Sequence, residues 1–421
     1  MSSTEVPFKI SVSDDQLDLL RKKLDLVTFP DELENAGWRY GAPLSDIKRL
    51  VARWKDGYEW RAEEAKLNEE LPQFTRDIEV KGHGTLNIHY VHKKSEVENA
   101  IPLLFVHGWP GSFIEVRKIL PLLVQASPNG KFPSFHVVAF SLPGYGFSEA
   151  PRKPGFAIEQ HAEVGHKLML ALGYNEYVTQ GGDWGSAITR KIALKYGGKY
   201  SKAWHTNMAS GVRPTFTSHP ISYLQYLVRP FTAEDKAGYE RTMWFQQEGR
   251  GYFMEQSTQP QTLGYSLADS PVGLLAWIYE KLVNWTDGYP WTDDEVLTWI
   301  SIYQFSRAGP AANTRIYFEY MHSKDAAPGA LAAGMPTIPM GVSRFPKELA
   351  VLPKSWMSHT YNNIVFVGEH ASGGHFAAHE KPELLVGDLR KMFGKKGPVY
   401  GVVTGKTGYV RSKRGAERAK L

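Results

Sequence analysis

The chain has 421 residues, too many for one small domain but the right size for a large α/β unit with additions. Its 42% hydrophobic and 22% charged content is that of a globular protein; no apolar run is long enough to cross a bilayer, and the polar start carries no visible signal peptide. The absence of Cys excludes disulfides, thiol chemistry and Cys-ligated metals, and the net charge of +5 comes from the stretch after Phe393, where eight Lys or Arg face one acid, Glu417. Such a run reads as a solvated tail, not as a nucleic-acid site.

Residues 1–92 are expected to form a helical extension wrapping something larger. Leu17, Leu20 and Leu24 stand at helical spacing behind Ser13, which predicts a capped helix over 14–26. Residues 44–67 read as helix on both sides of Gly57. The alternation in 86–91 predicts an edge strand that opens the sheet.

The first part of the core spans 93–212. Residues 101–106 are almost wholly apolar, as a buried parallel strand requires. They lead into His107-Gly108-Trp109-Pro110-Gly111-Ser112, where the Trp109-Pro110 bond is open to either isomer. A helix over 114–124, a strand at 135–140, a helix over 158–172 and strands at 177–180 and 202–208 follow. This β-α-β alternation predicts a doubly wound, mostly parallel sheet with its crevice at the carboxyl ends of the strands. Between 213 and 324 strands are hard to find, and ten of the 21 Tyr and five of the 12 Trp fall there. Leu274, Leu275, Ile278 and Leu282 are at helical spacing, so this segment reads as an inserted helical lid whose aromatics are mostly core. Sheet character returns at 337–343 and 364–367, in the second core part, 325–421.

The stretch that carries chemistry is Gly181-Gly182-Asp183-Trp184-Gly185, between a strand and a helix-forming run. A strand, a tight turn and a helix make a nucleophile elbow, with Gly181 and Gly185 leaving room for the turn. The tip is usually Ser; here it is Asp183, a carboxylate that is already ionised near neutral pH and needs no base before it attacks. Glu348 and His375 follow the two later strands. Nucleophile, acid, base is the chain order of α/β-hydrolases. His375, on the tight and exposed turn expected from Gly373-Gly374, would activate water, and Glu348 would orient its ring. His370 and His379 lack such a setting. The backbone N–H groups of Trp109 and Trp184 are the expected oxyanion donors, and His107 is expected to be structural. A serine esterase is disfavoured by the Asp at the tip.

These motifs resemble those of microsomal-type epoxide hydrolases, most of all their soluble, anchor-less fungal members. The resemblance runs through Glu59-Trp60-Arg61, Leu67-Asn68 to Gln73-Phe74, His107 to Ser112, Gly181 to Gly185, Asp269 to Gly273, Phe345 to Glu348 and Gly373 to Ala378. It implies an α/β-hydrolase fold, an epoxide substrate, a vicinal diol product, and neither cofactor nor metal. It also implies two lid tyrosines that hold and protonate the epoxide oxygen. One falls in Gly251-Tyr252 and the other in Arg315-Ile316-Tyr317, with Tyr303 and Tyr320 close by. Many relatives have Asp at the place of Glu348, and animal relatives carry an N-terminal membrane anchor that this chain lacks. The alternatives are a haloalkane dehalogenase, which also uses Asp, or a non-catalytic receptor on the same frame. A homodimer stays open. The expected location is the cytoplasm, or the peroxisome through Ala419-Lys420-Leu421, which resembles Ser-Lys-Leu.

Overall fold

The structure is a computed structural model that describes residues 4–209, 211, 213–228, 231–326 and 334–410. The terminal tripeptide and most of the basic tail lie outside the described residues. Nine strands form one sheet: β1 (Val6–Phe8), β2 (Gln73–Val80), β3 (Gly84–Lys93), β4 (Ile101–Val106), β5 (Phe135–Phe140), β6 (Tyr177–Gly181), β7 (Ser201–Thr206), β8 (Met340–Arg344) and β9 (Ile364–Glu369). Their spatial order is β1-β2-β3-β5-β4-β6-β7-β8-β9. The first three strands pair antiparallel, as does β3 with β5, and every other pairing is parallel.

The winding reverses at β4, which has β5 on one side and β6 on the other. Val106 pairs with Gly181, so β4 and β6 end level and their following loops open side by side. That is the switch point at which a doubly wound sheet holds its ligand. All residues of β4, β5 and β6 are buried, which fits their lack of polar alternation.

Two expectations need correction. Residues 86–91 lie in β3, which is no edge strand: it is flanked by β2 and β5, and β1 takes the edge. The strand β2 was obscured by Arg76, Asp77 and Glu79, whose charges read as surface. Tertiary contact overrides that reading, since Arg76 is buried and donates to the Ala171 carbonyl at 2.6 Å. The helix expected over 114–124 is a 3-10 turn at Phe113–Val116 and a short helix at Leu120–Val124. Pro121 has no N–H to give, so a helix can begin there but not run through it.

Between β7 and β8 the described residues contain helices and no strand. The N-terminal segment wraps these helices. Its helix Asp14–Asp25 is capped by Ser13 in a capping box with Gln16 and buries Leu17, Leu20 and Leu24. Arg53 forks onto Asp294 at 2.8 and 2.9 Å, Tyr279 Oη donates to Asp46 at 3.0 Å, and Lys23 donates to the Asp269 carbonyl at 2.7 Å. No helix among the described residues is long and apolar enough to cross a membrane.

Candidate active site

The turn after β6 is tight because glycine permits it. A Cβ on Gly181 would fall 2.5 Å from the Gly185 carbonyl oxygen, and one on Gly185 would fall 1.9 Å from that of Val106. Between them Asp183 adopts φ 50° and ψ −128°, and the helix Trp184–Tyr196 starts at the next residue. A non-glycine residue there costs on the order of 1–3 kcal/mol, and such strain gathers at working sites. The side chain sits at the N-cap position yet caps nothing. Its Oδ1 instead accepts the Trp109 N–H at 2.7 Å, and its Oδ2 lies 3.4 Å from His375 Nε2. The Trp184 N–H, the other expected donor, makes no hydrogen bond to either oxygen.

The loop after β4 fits around this carboxylate, with a cis Trp109-Pro110 bond. A Cβ on Gly108 would lie 2.2 Å from Asp183 Oδ1. Gly108→Ala is therefore expected to displace the carboxylate and lower kcat by about 10²-fold with the fold kept, since roughly 1 Å of misplacement has that effect. Comparing kcat with the thermal midpoint checks it. His107 is structural, as expected. The Leu142 N–H donates to its Nε2 at 3.1 Å, so Nδ1 carries the proton and donates to the Gly108 carbonyl at 2.9 Å.

Glu348 and His375 arrive from the ends of β8 and β9, clipped together by a bridge between Lys347 and Gly374. His375 Nδ1–H donates to Glu348 Oε1 at 2.5 Å, which leaves Nε2 facing Asp183. The expectation of an exposed turn at His375 is wrong: the residue is 5% exposed. Its N–H donates to the Trp285 carbonyl at 2.8 Å and its ring meets Trp285 edge-on at 5.0 Å. Burial works against the imidazolium, but Glu348 and Asp183 outweigh it and raise the pKa to about 10. The resting imidazole is therefore charged. His370 and His379 are engaged elsewhere, the first with Asp388 at 2.6 Å and the second stacked on Trp291.

Both expected tyrosines reach the pocket. Tyr252, on the helix Gly251–Thr258, stacks on Trp109 with ring centroids 5.0 Å apart and planes 8° from parallel. Tyr317, on the helix Arg315–Met321, meets Trp184 edge-on at 4.8 Å and Tyr252 at 5.8 Å. Its hydroxyl is buried without a hydrogen-bond partner, which is costly unless a ligand supplies one. Burial, then neighbours including Asp183, push both phenols well above the usual tyrosine range. Tyr303 is committed to the Gly111 carbonyl at 2.6 Å, whereas Tyr320 lines the pocket beside Trp184. The pocket holds about 660 Å³, with Asp183, Tyr252 and Tyr317 on its floor and roof and Phe245, Phe253 and Leu349 among its apolar walls. No cluster of three or more His, Asp or Glu able to hold a metal occurs among the described residues.

Comparison with known proteins shows the family. The family described as "Epoxide hydrolase N terminus" matches residues 5–116, and that described as "alpha/beta hydrolase fold" matches 101–261. Epoxide hydrolase 1 of Sus scrofa is 34% identical over 92% of this chain and 88% of its own. The chain belongs to the epoxide hydrolase family. The Aspergillus niger epoxide hydrolase structure aligns with this hydrolase at TM-score 0.79 and 35% identity, over 92% of this chain and 95% of that one. The juvenile hormone epoxide hydrolase of the silkworm Bombyx mori aligns at TM-score 0.82 and 31% identity, over 92% and 93%. The enzyme thus has the α/β-hydrolase fold, and its helices between β7 and β8 bring Tyr252 and Tyr317 against Trp109 and Trp184.

Two residues at this site escaped the sequence reading. Trp285 anchors the His375 turn through its backbone carbonyl, which no side-chain pattern reveals. Glu115 lines a small space behind the carboxylate. Its only sequence signal is the Ser112-x-x-Glu115 spacing, which reads as a helix cap.

Proposed function

We propose that this hydrolase opens an epoxide in two chemical steps, through an ester on Asp183. The observation that carries the reading is the Asp183 carboxylate, held by the Trp109 N–H on one oxygen and facing His375 on the other, in a pocket shared with two phenols. Oδ2, which no backbone N–H holds, attacks a ring carbon and the C–O bond of the epoxide breaks. Tyr252 or Tyr317 gives its proton to the alkoxide, and the charged His375 restores that proton, becoming neutral. Esterification removes the Asp183 charge that helps keep the imidazole protonated, so the base appears when it is needed.

Neutral His375, oriented by Glu348, then takes a proton from water as the water oxygen bonds to the Asp183 Cγ. The Trp109 N–H, joined by that of Trp184, stabilises the oxyanion. The ester C–O bond breaks, the diol oxygen leaves with a proton from His375, and the Asp183 acid returns its own proton to the imidazole. The diol carries one oxygen from the epoxide and one from Asp183.

A single turnover in ¹⁸O-labelled water tests this. The label is expected in Asp183 and not in the diol; label in the first diol released would mean direct water attack. Tyr252→Phe and Tyr317→Phe should each slow ester formation by about 10²-fold, the lower end for a positioned acid. Because burial raises both phenols, ester formation should show no loss of acid up to pH 10. Stopped-flow quenching of tryptophan fluorescence follows that step. A dehalogenase needs no phenol acid, whereas two phenols share this pocket with Asp183. A receptor would have no use for the Asp183–His375–Glu348 relay.

A further inference from the structure

Behind the Asp183 carboxylate lies a second, small space of about 10 Å³, the size that admits one water-sized molecule. It is bounded by Gly108, Trp109 and Gly111 from the loop after β4, by Asp183 and by His375, with Glu115 and Asn207 completing the wall. Four of these side chains can bond a ligand. Asp183 and His375 belong to the machinery above. Asn207 is engaged twice: its Oδ1 accepts from Gln180 at 2.8 Å and its Nδ2 donates to the His375 carbonyl at 3.4 Å. Glu115, whose carboxyl is bonded to the Gly108 and Ser112 backbone, is the fourth.

Its placement is built into the loop. A Cβ on Gly111 would fall 1.6 Å from Glu115 Oε1, as one on Gly108 would fall 2.2 Å from Asp183 Oδ1. Two glycines three residues apart make room for two carboxyl groups, both on the same small space. Burial pushes the Glu115 carboxyl up to about 8, with the His375 charge opposing and the Asp183 charge adding.

We propose that Glu115 holds the hydrolytic water, accepting one of its hydrogen bonds while His375 Nε2 takes the other proton, so that the water oxygen faces the Asp183 ester carbon. Glu115 exchanges no proton and ends the cycle unchanged. The inference rests on the ester reading. It predicts an effect on the second step alone, which a cap would not produce.

The test measures ester formation and ester decay separately on the full-length enzyme, with styrene oxide as probe, by rapid quench and mass of the Asp183 peptide. Glu115→Met removes the acceptor and keeps the bulk; Glu115→Gln keeps an acceptor. In the Met variant ester formation should stay within about threefold of wild type and ester decay should slow by about 10²-fold, so that the adduct accumulates. The Gln variant should recover most of the loss. Gly111→Ala, which drives the carboxyl away while leaving it in the chain, should slow decay in the same selective way, and it decides the matter if the Met variant does not fold. Wild-type decay in the Met variant, or equal slowing of both steps, overturns the proposal and leaves the ester reading standing. No Asp183 adduct in the wild type would overturn both.

Discussion

With His375 replaced by Gln, the first substrate molecule should be opened and not released. The attacking Asp183 oxygen needs no base, so ester formation should persist, whereas hydrolysis loses the imidazole whose Nε2 lies 3.4 Å from the carboxylate. Removing a positioned base slows its step by roughly 10²–10⁴-fold. Turnover should therefore fall to a burst of one equivalent per active site, with kcat down about 10³–10⁴-fold. The Asp183 peptide should carry the mass of the added epoxide. Glu348→Gln should give a milder form of the same block, because the imidazole keeps its place and loses the carboxylate that fixes its tautomer at 2.5 Å. A variant that makes no adduct, or one that releases diol at the wild-type rate, would contradict the two-step order.

Mild acid should unfold this protein. Four imidazoles are 0–2% exposed: His89, His107, His161 and His205. Burial lowers their pKa values to about 3, 4, 3 and 4. In the unfolded chain each titrates near 6.5, so below that pH the unfolded state takes up protons that the native state refuses. Stability is then lost as pH falls, by roughly 1.4 kcal/mol per histidine per pH unit. At pH 5 the four together amount to about 8 kcal/mol, comparable with the whole stability of a typical domain, about 5–15 kcal/mol. His375 acts in the opposite sense. Its raised pKa means that its contribution is complete below 6.5 and fades as pH climbs toward about 10, so it cannot offset the loss. Urea midpoints between pH 7 and pH 5 should fall steeply, with at least about four protons taken up on unfolding near pH 5, because the partly buried His136 and His166, also lowered to about 4, add to the count. His161→Gln should remove about one of them, since that ring has a buried Nδ1 without a partner and packs edge-on to Phe156 at 4.9 Å. An uptake of less than two protons would refute the account.

How much could be read beforehand depended on whether the cause was local. The elbow was legible because its glycines answer to contacts within a few residues, such as Gly181 against Gly185. The Ser13 cap and its leucine stripe were legible for the same reason. Strand β2 was not, because Arg76 looks like surface until the Ala171 carbonyl, far away in sequence, receives it. The two tyrosines came from resemblance alone; nothing local distinguishes Tyr317 from Tyr320, three residues on and facing the same Trp184.

By itself, then, the order of residues determined the chemical identity of the site: an acid at the elbow tip, a second acid and an imidazole after later strands, and glycines where no side chain fits. Only the tertiary structure decided the electrical state of those groups. Whether His375 is charged, whether a phenol stays protonated and whether Glu115 faces the reacting carbon all depend on burial and on partners tens or hundreds of residues away. Solvation and Coulomb energies follow distance in space, and distance along the chain does not report it.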